Sequence, residues 1–190
     1  MKKKIKKYLP YSRQYIDRKD ILSVISVLKS NFITQGKSVN NFEKKVTSRV
    51  GSKFGVATNS ATSALHIACL SLGLSKNDIL WTVPNTFVAS ANCGLYCGAK
   101  IDFVDIDENT LNLSIEKLKI KLEKSKKINK LPKIVVPVHF AGNPYPQEEL
   151  YNLSKKYKFK IIEDASHALG SSYKKDFVGS CKWSDVCVFS

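Results

Sequence analysis

Asp164 carries the most pointed chemistry in the chain. It closes Ile161-Ile162-Glu163 and is followed at once by Ala165, Ser166 and His167, with Gly170 beyond. A carboxylate at the mouth of a buried strand is costly unless a cation or hydrogen-bond donor meets it. A structural partner would serve, and so would the protonated nitrogen of a pyridine ring, the contact that pyridoxal 5′-phosphate (PLP) requires of its protein. His167 can reach a ring hydroxyl or be a satisfied structural histidine, while His66 and His139 read as structural.

A second group is Asn59-Ser60-Ala61-Thr62-Ser63-Ala64-Leu65, which falls where a helix should begin. A helix start offers free N–H groups and a positive dipole end, and the hydroxyls of Ser60 and Thr62 add donors. That makes a phosphate cup without a Walker motif; neither GxxxxGK nor GxGxxG occurs. The bland reading is that Ser60 is only an N-cap. Phe87, in Val83-Pro84-Asn85-Thr86-Phe87-Val88-Ala89-Ser90, can lie flat on a planar ring or be ordinary core.

These groups need elements to hold them. Ile21, Val24, Ile25 and Leu28 recur at helical spacing, as do Val39, Phe42, Val46 and Val50, with a loop at Phe32-Ile33-Thr34-Gln35-Gly36 between. The pattern predicts a strand over Phe54 to Thr58, then a helix from Ser60 that ends at Gly73. Further strands are predicted over Ile79 to Val83, Ile101 to Val104, Ile134 to Val138, Lys160 to Glu163 and Val186 to Phe189. Helices fall over Thr86 to Cys97, over a lysine-rich stretch carrying Ile115, Leu118 and Leu122, and over Gln147 to Tyr157. Short apolar strands alternating with helices argue an α/β fold, three-layer, with a mostly parallel sheet. Ligands of such sheets sit outside the carboxyl ends of the strands. The polar candidates fall there.

Composition excludes several classes. The net charge is +15, but only Arg13, Arg18 and Arg49 are arginine among 31 basic residues. Base readers and phosphate clamps favour the forked arginine donor, and the lysines are spread along helices, so no nucleic-acid partner is expected. No apolar run reaches the ~18 residues of a membrane span. A soluble cytoplasmic protein is expected, with no membrane partner. The five cysteines lack the spacing of a zinc site and read as buried reduced thiols, with Cys69 standing alone.

The collinear motifs carry a resemblance. The Asn59 to Leu65 and Thr86 to Asn92 segments, Phe103-Val104-Asp105-Ile106-Asp107, Val138-His139-Phe140-Ala141-Gly142 and Glu163 to Gly170 together resemble the DegT/StrS-type PLP-dependent nucleotide-sugar aminotransferases of fold type I. The resemblance runs from about Tyr11 to Ser190 and corresponds to the amino-terminal half of a typical member. It implies a basic segment over residues 1–12, a large PLP-binding domain begun over 13–190, and a small carboxyl-terminal domain absent. Carried over by position, Ala61, Thr62 and Ser190 would hold the cofactor phosphate and Phe87 would stack on the ring. Asp164 would pair with the ring nitrogen, and His167 stands where members often place a glutamine near the ring hydroxyl. Tyr11, Asn31, Phe32, Ile33, Thr34 and Ser60 match positions that touch the sugar.

The implied reaction moves an amino group from an amino-acid donor, glutamate in most members, to a 4-keto UDP-linked deoxysugar, within the pseudaminic acid branch of the family. A homodimer is implied for the full-length protein. The family's Schiff-base lysine follows the phenylalanine-serine pair matched by Phe189-Ser190, so none of the lysines of this chain inherits that role. The chain alone is expected to be inactive and prone to association. The alternative is a non-catalytic remnant that binds PLP or a nucleotide sugar.

Overall fold

A computed structural model describes Pro10 and residues 13–190, which leaves Tyr11 outside the described residues. The chain divides into two units, Met1–Asn41 and Phe42–Ser190. In the first, helix α1 (Arg18–Leu28) begins in a capping box: Asp17 accepts from the backbone of Lys19 and Asp20, and Asp20 accepts from the Asp17 N–H. Its apolar residues Ile21, Leu22, Val24 and Leu28 are exposed. The loop after it is pinned by the Ser30 hydroxyl, which donates to the carbonyls of Val27 and Phe32. Helix α2 (Lys37–Val50) starts here and ends inside the second unit, where Val50 is buried.

The second unit is built on a five-stranded parallel sheet in the order β2-β1-β3-β4-β7. Its strands are β1 (Ile79–Thr82), β2 (Lys100–Phe103), β3 (Ile134–Val136), β4 (Lys160–Asp164) and β7 (Val186–Val188). Side chains alternate across a strand, and here the alternation sorts the core into two halves. Leu80, Ile134, Val136, Ile162 and Val188 meet helices α3 (Ala61–Ser71) and α4 (Ala89–Tyr96) on one face. Trp81, Val135 and Ile161 meet α5 (Ile115–Lys127) and α6 (Gln147–Tyr157) on the other. Each fully buried aliphatic side chain contributes roughly 1.5–3 kcal/mol. Both faces being covered is why these strands are short and apolar throughout. The result is the expected three-layer α/β arrangement.

Strand order reverses at β1, with β2 on one side and β3 on the other. That places a crevice at the carboxyl edge of the sheet. A short antiparallel ribbon, β5 (Ser172–Tyr173) with β6 (Asp176–Phe177), follows β4. Gly179, just after it, has φ +92°, and an added Cβ would lie 2.5 Å from the Phe189 ring. Only glycine lets that ring close over the turn.

Two expectations need correction. Residues 54–58 form no strand: Phe54 and Val56 are 78% and 81% exposed, and the segment is tied by an Ala57 N–H bond to the Glu43 carboxylate instead. Alternating apolar residues make a strand only where a neighbouring strand receives them. The helix predicted over Thr86 to Cys97 is shorter, Ala89–Tyr96, because Thr86 to Val88 belong to the loop after β1. Cys69 is not alone either; it is buried in one core cluster with Cys93, whose neighbourhood, with burial, pushes its thiol pKa up, and the five cysteines are all free.

Candidate functional site

Asp164 is the last residue of β4 and is 4% exposed. Its Oδ2 accepts from the Ser90 hydroxyl at 2.6 Å; its Oδ1 accepts from the Ser166 hydroxyl at 2.7 Å and the Ser166 N–H at 3.2 Å. All three donors are neutral. Among the described residues no cationic side chain pairs with it. Donors meet both carboxylate oxygens, and no cation among the described residues stands against them. The group is suited to a cationic ligand.

The same sheet edge receives the start of α3. The Lys133 ammonium, at the amino end of β3, bonds the Gly73 carbonyl just past the last turn of α3. The helix therefore runs back across the sheet, and Ala61 and Thr62 open it at the carboxyl edge. Ser60 is its N-cap, with Oγ accepting from the Ser63 N–H at 3.2 Å. The N–H groups of Ala61 and Thr62 are left to solvent or ligand. Ser190 follows β7, whose Val188 pairs with Asp164 and accepts from the Ala165 N–H at 2.8 Å. Phe87 sits in the loop after β1 with 73% of its surface exposed, an apolar face unused by the core.

His167 is exposed in the turn after β4. That turn is held close by Gly142, at φ +80°, where an added Cβ would stand 2.8 Å from the His167 carbonyl oxygen. Ser171 completes the clamp by donating to the Gly142 carbonyl at 2.7 Å.

Glu163 points to the opposite face from Asp164, as period two demands. Its Oε2 meets His139 Nε2 at 2.6 Å and Gln147 Nε2 at 2.7 Å, all three residues buried. Tyr145 packs on the His139 ring at 4.7 Å between centroids. Burial, then the Glu163 charge, pushes the Tyr145 phenol well up, and the same two causes raise the Cys187 thiol, with Cys181 and Asp164 adding. His139 is buried on that far face, and its Nδ1 has no hydrogen-bond partner among the described residues.

The second unit therefore brings Ala61, Thr62, Phe87, Asp164, His167 and Ser190 to one edge of the sheet. Ser60 is there as a cap. Asn31, Phe32, Ile33 and Thr34 belong to the first unit, in the loop between α1 and α2, with Phe32 and Ile33 exposed. Sequence reasoning assigned no role to Thr86, Ser90 or Ser166, whose hydroxyls gather on and behind Asp164. The four-residue spacing of Thr86 and Ser90 was the available signal. The residues fit PLP: open helix N–H groups for a phosphate, a bare aromatic face for a ring, and an uncancelled carboxylate for a pyridinium. No cluster of His, Cys, Asp or Glu among the described residues is arranged for a metal.

Known proteins resemble the chain over nearly its whole length. The UDP-4-amino-4,6-dideoxy-N-acetyl-beta-L-altrosamine transaminase of Campylobacter jejuni is 44% identical over 183 residues, which are 96% of this chain and 46% of that protein. Helicobacter pylori PseC, an aminotransferase involved in the biosynthesis of pseudoaminic acid, has TM-score 0.84 at 34% identity, over 97% of this chain and 48% of its own. Spr1654 from Streptococcus pneumoniae, in its PLP-form, has TM-score 0.85 at 26% identity, over 96% of this chain and 48% of its own. The chain spans about half the length of the relatives it matches. The α/β fold is that of these aminotransferases, and since residues 14–190 match throughout, the chain belongs to the DegT/DnrJ/EryC1/StrS aminotransferase family.

Proposed function

We propose that this chain is the amino-terminal part of a PLP-dependent aminotransferase that passes an amino group from glutamate to a 4-keto UDP-linked deoxysugar. The observation that carries the reading is Asp164: a buried carboxylate with neutral donors only, at the edge where α3 opens. When bound, the cofactor supplies the electron sink and carries the amino group. Asp164 holds the proton on the ring nitrogen, Phe87 covers one ring face, and His167 meets the ring hydroxyl. Ala61, Thr62 and Ser190 hold the phosphate. By resemblance Ser60 touches the sugar, as do, in the first unit, Asn31, Phe32, Ile33 and Thr34; Tyr11, also matched, lies outside the described residues. The sugar class rests on the 44% identity to the altrosamine transaminase. The full-length protein works as a cytoplasmic homodimer, and no helix among the described residues is long and apolar enough to cross a membrane.

None of the lysines in these 190 residues stands in the family's Schiff-base motif, so they bind cofactor without turnover by themselves. The test is uptake of PLP and of pyridoxamine 5′-phosphate, read by absorbance, in the parent chain and in Asp164→Ala. Uptake that the substitution abolishes supports the site, and absent uptake sinks it. Turnover of a 4-keto UDP-sugar with glutamate is then measured on a polypeptide that also carries the lysine segment. Binding that never becomes turnover there would assign a non-catalytic remnant instead.

A further inference from the structure

Ser90, in the first turn of α4, is fully buried and uses both of its donors on the candidate site. Its hydroxyl donates to Asp164 Oδ2 at 2.6 Å. Its N–H donates to the Phe87 carbonyl at 3.2 Å. Behind it, Thr86 Oγ1 lies 2.7 Å from Ser90 Oγ. A serine hydroxyl has one proton. The Ser90 proton is committed to Asp164, so Thr86 must donate to Ser90. The hydroxyls run in one direction, Thr86 to Ser90 to Asp164, and each polarises the next.

We infer that Ser90 is a positioning residue that fixes Phe87 and Asp164 relative to each other, its hydroxyl oriented by Thr86. The inference rests on the cofactor reading above. In that reading Phe87 takes the face of the ring and Asp164 its nitrogen, and one residue holds both. The support beneath Ser90 is rigid. Cys93, one turn on, is buried and donates to the Ser90 carbonyl at 3.3 Å. At Gly94 an added Cβ would be 2.5 Å from Ile101 Cδ1 and 3.2 Å from the Leu80 side chain, so α4 lies hard against the sheet. The other titratable groups around Asp164 are Cys187 on β7, whose thiol feels its charge, and Glu163 with His139 on the far face of β4.

The experiment compares the parent with Ser90→Ala, Ser90→Thr, Thr86→Val and Asp164→Ala. Each is titrated with pyridoxamine 5′-phosphate, the absorbance maximum of the bound form is recorded, and so is the melting temperature of the unliganded protein. Ser90→Ala removes the donor that orients Asp164 Oδ2. The absorbance maximum of the bound form should shift, with affinity falling roughly tenfold. Ser90→Thr keeps a hydroxyl and should restore both. Thr86→Val should move both in the same direction by less, and it carries the test if Ser90→Ala does not fold. A folded Ser90→Ala with the parent's affinity and absorbance maximum overturns the inference, as does an unmoved affinity and maximum in Thr86→Val. If Asp164→Ala loses the cofactor while Ser90→Ala does not, only the Ser90 inference falls. If the parent takes up no cofactor, both readings fall.

Discussion

At the scale of single residues, β4 places two adjacent carboxylates in opposite situations. Glu163 meets a histidine and a glutamine on the α6 face, while Asp164 meets only hydroxyls and an N–H on the α4 face. The first is internally satisfied; the second awaits a cation. Asp164→Asn should therefore separate ligand binding from folding. The amide oxygen can still accept from Ser166 while its NH2 donates to the Ser90 hydroxyl, which then donates to Thr86, so the unliganded protein should keep its stability within about 1 kcal/mol, while uptake of pyridoxamine 5′-phosphate is lost. Urea denaturation and absorbance titration read the two effects, and a large loss of stability would show that Asp164 is structural instead. Cys187 and Tyr145 make a second prediction. Both stay protonated in the fold beyond their ordinary values of 9.0 and 10.0. The unfolded chain loses those protons first, so their contribution is complete below the ordinary values and is lost progressively as pH rises from them toward the raised values of the fold. Urea midpoints should be level up to about pH 8.5 and then fall, less steeply in Cys187→Ala. A midpoint that rises with alkali would contradict the burial of these groups.

At the scale of elements, α3 has the most to explain, because its first turn is both a structural end and the candidate phosphate site. The side chain of Ser60 serves the structural end by accepting from Ser63. Ser60→Ala should cost about 1 kcal/mol through the lost cap. Ser60→Asp should keep the cap and suit the helix dipole, yet set a negative charge where a phosphate is to sit. Its stability should match the parent while its affinity for pyridoxamine 5′-phosphate falls. Equal affinity in Ser60→Asp would move the phosphate away from this helix. Elements of this kind were legible in the sequence wherever packing follows local pattern. Gln147–Tyr157 is helical to the residue predicted, since its apolar positions face the sheet and Lys158 ends it at φ +61°. Residues 54–58 were misread because pairing is a property of neighbours, not of Phe54 and Val56 themselves. The ribbon of Ser172–Tyr173 with Asp176–Phe177 was missed because two-residue strands leave no periodicity to count. The candidate site was legible as motifs, but the hydroxyls serving Asp164 were not. Ser90 and Asp164 are brought together only by the packing of α4 on the sheet.

At the scale of the whole molecule, charge and apolar surface pull in opposite directions. The chain carries +15, mostly on lysine, which opposes close approach of two copies. Yet Ile67 and Leu70 on α3 and Leu95 and Tyr96 on α4 are each more than half exposed, and the two helices pack together, with His66 edge-on to Tyr96 at 5.3 Å. Apolar surface gathered on one helix pair marks a place that another surface covers. The relatives are about twice as long, so the remainder of such a protein or a second copy can supply that cover. Studied alone, these 190 residues should associate as concentration rises. Charge repulsion is screened beyond ~8 Å at physiological ionic strength, whereas contact between apolar side chains is not. Association should therefore strengthen with added salt. Ile67→Lys with Leu70→Lys should weaken it without touching the buried face of α3, where Leu65, Ala68 and Cys69 meet the sheet. Light scattering across a concentration and salt series decides the point. A monomer that persists at high concentration and high salt would mean that the charge, not the apolar face, governs how this chain behaves in solution.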